Sequence, residues 1–247
     1  MTEHLVMARA ALRTDGRRIA RDRFLVGTVS YLVVVSVAMR WVIPWVTRGV
    51  SSRWGFDLTP LHPLIVSHIV VQLAPLLVGV VGAFLLLESR EERTIKAVLV
   101  SPLPLRSYVA WSSGVMVAAS ALLMVVEAPI IGTGLPGTGA LLATAVVGSL
   151  FAPAIALGVA GAASNKTQAF AYLKVVGVAP LVVSGSYFLT EPLQWVAVVY
   201  PPYLAVKAYW IAEAGGGSWP SWLVGGTFAS AAWGLLAARL FARSARM

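Results

Sequence analysis

Six blocks of apolar residues run through this chain, covering Phe24–Val46, Pro63–Leu87, Tyr108–Ile131, Ala140–Ala163, Ala169–Leu189 and Ser221–Phe241. Each is close to the roughly 20 residues that a helix needs to cross a bilayer. In water such blocks would need a polar skin. The composition does not supply one: 12% of the residues are charged, against roughly 25% in a soluble domain. Inside lipid every backbone polar group must be satisfied within the structure, so isolated apolar segments cross as helices. The expectation is an all-α integral membrane protein with six transmembrane helices.

Basic residues are sorted by segment. The N-terminal arginines, the charged stretch after the second block, Lys166, Arg243 and Arg246 fall on one side of the membrane. Arg48, Arg53 and Lys207 fall on the other. That bias orients a multi-pass protein with its basic side inside, so both termini are expected in the cytoplasm. The net charge of +9 therefore reads as topology, and no nucleic-acid partner is expected. Arginine, alanine, glycine and valine are frequent, which points to a high-GC bacterial source and so to a bacterial plasma membrane. There is no cysteine, which excludes disulfides and thiolate metal sites. His4, His62 and His68 show no ligand spacing, and no metal is expected.

Residues 1–23 precede the first block. Leu5, Leu12 and Ile19 recur at heptad spacing, while Arg9, Arg13, Arg17 and Arg21 step along the adjoining face. This describes an amphipathic helix lying on the cytoplasmic membrane surface, with arginines reaching for phosphates. The alternative is a solvated basic tail that acts through charge alone. A cleaved signal peptide is not expected, because the basic region is too long and no small-residue cleavage site follows. Residues 24–247 form the six-span domain.

Residues 191–217 break the pattern. Leu193–Tyr200 and Tyr203–Ala214 are apolar but too short to cross, Pro201 and Pro202 separate them, and Gly215–Gly217 ends the second. Two short helices around a proline break suggest a re-entrant hairpin in the outer leaflet. An amphipathic hairpin lying flat on the surface is the alternative. Trp195, Tyr200, Tyr203, Tyr209, Trp210, Trp219 and Trp222 cluster here as an interfacial belt would.

The loop over residues 88–107 is the most charged internal segment. Glu92 and Lys96 stand four apart with the acid first, the favourable order on a helix. Ile95, Val98 and Leu99 form a small apolar face, and Pro102 and Pro104 stop the helix. Spacing alone allows either a docking surface for a cytoplasmic partner or a solvated structural loop. The run from Glu88 to Tyr108, ESREERTIKAVLVSPLPLRSY, resembles the signature loop of type-2 ABC exporter permeases. That family carries glutamate, further charges, Gly-Thr, a short apolar helix, Ser/Thr-Pro, and Arg-x-Tyr at the third span. This chain departs from the pattern at Arg93, where glycine usually precedes the threonine. The Pro-Leu-Arg-Ser-Tyr and Leu-Leu-Leu-Glu segments are most similar to actinobacterial permeases of the fluoroquinolone or multidrug export type.

The resemblance implies a transmembrane subunit of an ABC exporter for hydrophobic or amphipathic substrates. It implies a second permease subunit, identical or related, and a pair of ATPase subunits carrying ATP and Mg. No cofactor is then bound by this chain, which is not an enzyme by itself. The loop would be the coupling helix, with Glu88, Glu91, Glu92, Arg93, Thr94, Ile95 and Pro102 as its candidate residues. An ATP-independent channel or carrier is the alternative function.

Other signals are weaker. Ala160–Thr167 superficially resembles a P-loop but lacks its glycines and follows a membrane helix, not a strand. Lys166 is read as a positive-inside residue. Arg40, Glu127 and Lys174 lie near predicted span ends, where long side chains can snorkel. Glu127, beside Pro129, is a candidate for the pathway or gate, together with Tyr200, Pro201, Pro202 and Tyr203. Ala154, Gly158 and Ala162 form a small-residue stripe flattened by Gly161, suited to close helix packing or to a subunit contact. Pro75, Pro153 and Pro180 are expected to kink their spans.

Overall fold

The computed structural model describes residues 23–91 and 105–245, in which every regular element is helical. Residues Arg9, Arg13, Arg17 and Arg21 of the interfacial helix lie outside the described residues, as do Glu92, Arg93, Thr94, Ile95 and Pro102 of the charged loop. The first span is α1 (Arg23–Trp54). The second joins a 3-10 turn (Thr59–Leu61), α2 (His62–Ser67), a π segment (His68–Leu73) and α3 (Ala74–Glu91). The third is α4 (Leu105–Ile131). The fourth joins α5 (Thr138–Ser149) to α6 (Ala152–Ala162), and the fifth joins α7 (Lys166–Val176) to α8 (Ala179–Ser186). A 3-10 segment (Leu193–Val199) and α9 (Pro202–Glu213) precede the sixth span, α10 (Trp219–Ser244). Six helical stretches are thus long and apolar enough to cross a membrane, and the chain is a multi-pass membrane protein.

The spans are not equivalent. In the apolar windows of the second and fourth, 78% and 72% of residues are buried, against 18% to 33% in the other four. The second and fourth spans therefore form the centre, and the others present apolar faces outward. Gly79 permits the central contact. A Cβ built on it would lie 2.8 Å from the Ile155 Cβ and 2.9 Å from the Ala152 carbonyl, so only glycine lets the two helices approach this closely.

The expected end of the first span at Val46 is corrected. Helix α1 continues to Trp54, through the polar residues Thr47, Arg48, Ser51, Ser52 and Arg53. Polar residues do not end a helix if they satisfy themselves locally. The Thr47 hydroxyl donates to the Ile43 carbonyl at 2.9 Å, and Arg48 Nε donates to the Pro44 carbonyl at 3.2 Å. The helix stops only where Gly55 adopts φ +66° and donates to the Ser51 carbonyl, the left-handed termination glycine allows. At the two ends of the 88–107 segment, Glu88–Glu91 complete α3 and Leu105–Ser107 begin α4.

The three expected kinks each have a structural counterpart. Proline cannot donate to the carbonyl four residues earlier, and its ring crowds that carbonyl. Pro75 follows the π segment, Pro153 follows the turn at Leu150–Phe151, and Pro180 follows the turn at Gly177–Val178. The hairpin also has its two short helices, ended by Gly215 at φ +76°. Helix α9 is buried at Pro202–Val206 and Ala208–Trp210. A helix lying flat on a surface would leave one face open, so α9 is inserted among the spans.

Candidate functional site

Two features sit where the fold converges: an apolar cleft and the root of the charged loop. The cleft has a volume of about 580 Å³ and opens between the fourth, fifth and sixth spans, within the ~300–1,000 Å³ typical of small-molecule sites. Ala154, Gly158 and Ala162 on α6 line one wall, Tyr172 and Val175 on α7 another, and Trp233, Leu236 and Leu240 on α10 a third. Phe151 and Tyr200 close it with an edge-to-face contact at 5.1 Å between ring centroids. Tyr200 reaches that position because the chain is extended there, at φ −101° and ψ 103°, between the 3-10 segment and Pro201. Among the described lining residues, the tyrosine hydroxyls and the indole N–H of Trp233 are the only side-chain hydrogen-bonding groups of the cleft. A ligand held here is held by apolar contact.

The small-residue stripe divides between two roles. Gly161 packs on the sixth span, where a Cβ would lie 2.8 Å from the Phe241 nitrogen and 3.0 Å from its Cα. At Gly158 the nearest atom is the Ala237 Cβ at 3.8 Å, ordinary contact that leaves the cleft open. The stripe is thus packing surface on one flank and cleft wall on the other. Gly158→Leu should fill the cleft without disturbing the bundle. The expected outcome is normal thermal stability with hydrophobic-ligand binding weakened at least about tenfold, measured by equilibrium binding to the purified protein.

The four hairpin candidates also separate. Tyr200 and Pro201 line the cleft. Pro202 and Tyr203 are buried in the core instead, and the Tyr203 hydroxyl donates to Gln194 Oε1 at 3.4 Å. Lys207 ties the hairpin together. Its ammonium donates to Gln194 Oε1, pairs with Glu191 at 3.5 Å and lies 5.8 Å from the Trp222 ring centroid. The expected aromatic belt is corrected in part. Tyr209 and Trp210 are buried, with the Tyr209 hydroxyl on the Gly134 carbonyl and the Trp210 indole N–H on Ser67 Oγ, both at 2.8 Å. They pin α9 inside the bundle. Trp195 remains outward-facing and stacks on Trp222.

Glu127 is not part of the cleft lining. It is completely enclosed, and neither carboxylate oxygen has a hydrogen-bond partner among the described residues. The Ser36, Ser120 and Thr144 hydroxyls and Gln72 Oε1 are also buried with no partner among the described residues. Arg40 does more than snorkel, since its Nη1 donates to the Ile130 carbonyl at 3.0 Å and caps the end of α4. Lys174 lies exposed in the last turn of α7.

At the other end, the root of the charged loop meets the turn between the fourth and fifth spans. Arg90 Nη1 donates to the carbonyls of Ala160 at 2.7 Å and Ala163 at 3.3 Å. These carbonyls belong to the end of α6, where no further helical N–H is available. Asn165 caps α7 by accepting from the Gln168 N–H at 2.9 Å, and the Gln168 side chain accepts from the Ser164 N–H at 2.8 Å. This reciprocal pair resembles a capping box. The segment is therefore a helix end, a turn and a capped helix start, not a phosphate-binding loop. Lys166, the first residue of α7, pairs with Glu88 at 3.7 Å. Sequence reasoning named Glu88 and Lys166 separately and passed over Arg90, because the pairing crosses between spans distant in sequence.

A bundle of six spans with an apolar cleft among them is that of a multi-pass membrane protein. The chain belongs to the fluoroquinolones export permease protein Rv2686c-like family, whose profile matches residues 15–238. It is 29% identical over 219 residues to the fluoroquinolones export permease protein Rv2686c of Mycobacterium tuberculosis strain H37Rv, covering 87% of this chain and 85% of that protein. The protein MT2760 of strain CDC 1551 / Oshkosh, of the same description, matches to the same extent. The family is type-2 ABC permease-like, as the residues from Glu88 to Tyr108 indicate, and the chain is an export permease.

Proposed function

We propose that this chain is the transmembrane subunit of an ATP-driven ABC exporter that moves hydrophobic or amphipathic molecules out of a bacterial cell. The observation that carries the substrate class is the apolar cleft between the fourth, fifth and sixth spans. Drugs and lipid-like molecules fit a site of that chemistry, and the fluoroquinolones in the relatives' names are the first class to test. The relatives' description as export permeases supports the direction of transport.

In this reading both termini are cytoplasmic, and residues 1–23 lie along the inner surface of the plasma membrane. The charged loop then faces the cytoplasm. A pair of ATPase subunits carrying ATP and Mg docks on it through Glu88, Glu91, Glu92, Arg93, Thr94 and Ile95, with Pro102 ending the docking helix. A second permease subunit, identical or related, completes the pathway, and this chain makes and breaks no covalent bond. Tyr200 and Pro201 of the hairpin close the cleft on the outer side, with Pro202 and Tyr203 anchoring the hairpin in the core behind them.

The test is co-purification. The chain is expressed with an ABC ATPase from the same genome, and the pair is isolated through a tag on either subunit. Both should be recovered together, and Glu92→Ala with Arg93→Ala should lower recovery or coupled ATP hydrolysis by about tenfold. An ATP-independent channel or carrier would work without the ATPase and would be indifferent to the loop variant.

A further inference from the structure

Chain connectivity alone carries motion of the charged loop into the second and third spans, which flank it. The cleft, however, lies against the fourth, fifth and sixth. Arg90 supplies the missing connection. It is the penultimate residue of α3, immediately before the loop, and its guanidinium holds the Ala160 and Ala163 carbonyls at the end of α6. A second contact joins the same two helices at Gly79, packed against Ile155 and the Ala152 carbonyl. Gly79 and Arg90 stand eleven positions apart in α3, about 16 Å along the axis. Two attachments that far apart prevent α6 from sliding or turning against α3. Glu88 reaches past the turn to Lys166 at the start of α7. Residues on the same helix as the Arg90 attachment, Ala154, Gly158 and Ala162, form the cleft wall.

We infer that Arg90 is a positioning residue that makes the loop root, the second span and the fourth span move as one body, delivering loop displacement to the cleft. The inference rests on the proposed ATPase-coupling role of the loop. It assigns the route by which coupling reaches the ligand site, and it requires the Arg90 attachment to stay closed throughout the cycle. Helix capping alone would make Arg90 merely structural; a strut makes it specific to coupling.

The experiment uses the full chain with its ATPase in vesicles of phosphatidylethanolamine and phosphatidylglycerol. Complex recovery, ATP hydrolysis and ATP-driven transport of ciprofloxacin, followed by its own fluorescence, are measured together. Arg90→Ala should keep assembly and ATP hydrolysis within about twofold while transport falls about tenfold or more. Arg90→Lys should recover part of the loss, because an ammonium on a long stem still reaches a carbonyl. Transport by Arg90→Ala equal to wild type overturns the inference, as does a parallel loss of assembly, hydrolysis and transport. Wild type that recruits no ATPase removes the proposed function, and this inference with it, a result distinguishable from a coupling-competent wild type with an indifferent Arg90→Ala.

Discussion

Gly161→Leu destabilises the bundle by about 3 kcal/mol, the upper part of the range for overpacking. A Cβ at this position lies 2.8 Å from the Phe241 nitrogen, 3.0 Å from its Cα and 3.1 Å from the Leu240 carbonyl carbon. All three are backbone atoms of α10. A side-chain neighbour could rotate away, but a transmembrane helix backbone moves only as a whole. The sixth span must therefore separate from the fourth. Close approach is also the main source of helix affinity in lipid, where apolar burial drives nothing. The measurement is thermal unfolding of the purified protein, with Gly158→Leu as its control. The two glycines stand three residues apart on one helix, yet the control is expected to unfold like wild type.

Glu127→Met acts in the opposite sense and raises stability by about 1–3 kcal/mol. A buried polar group without a partner carries its full desolvation penalty. Glu127 has two such oxygens inside the bundle. Methionine has a similar length and no group that needs a partner, and it adapts to irregular space. Glu127→Gln should gain little, since the amide brings its own unpaired donors and acceptor. The same unfolding measurement decides it. A residue that breaks a packing rule at a cost is a candidate for function, so transport by the methionine variant is the companion readout. Export unchanged beside raised stability would remove Glu127 from the pathway.

The spans were legible because their signal is local. A length of apolar chain, a proline or a left-handed glycine acts on its own helix. The second span, for example, was expected at Pro63–Leu87 and extends from Thr59 to Glu91. The first span runs past its expected C-terminal end for a related reason. Thr47 and Arg48 are polar and lie beyond the apolar block, but their side chains bond carbonyls of their own helix. The candidate gate was legible only in part. Two prolines announced the break between short helices, but nothing in the sequence separates Pro201, at the cleft, from Pro202, in the core.

The six spans, the bias of basic charge and the family-like loop from Glu88 to Tyr108 follow from the order of residues alone. The tertiary structure decided the rest. It placed the second and fourth spans at the centre, opened a cleft beside α6, enclosed Glu127 and joined Arg90 to carbonyls about seventy positions away. The physical reason is the uniformity of the spans. An apolar helix of the right length crosses the membrane whichever face it turns inward, so its hydropathy carries little information about its neighbours. Those are chosen by shape, by glycine against backbone and by buried groups that find partners, and these matches exist only when the helices are side by side.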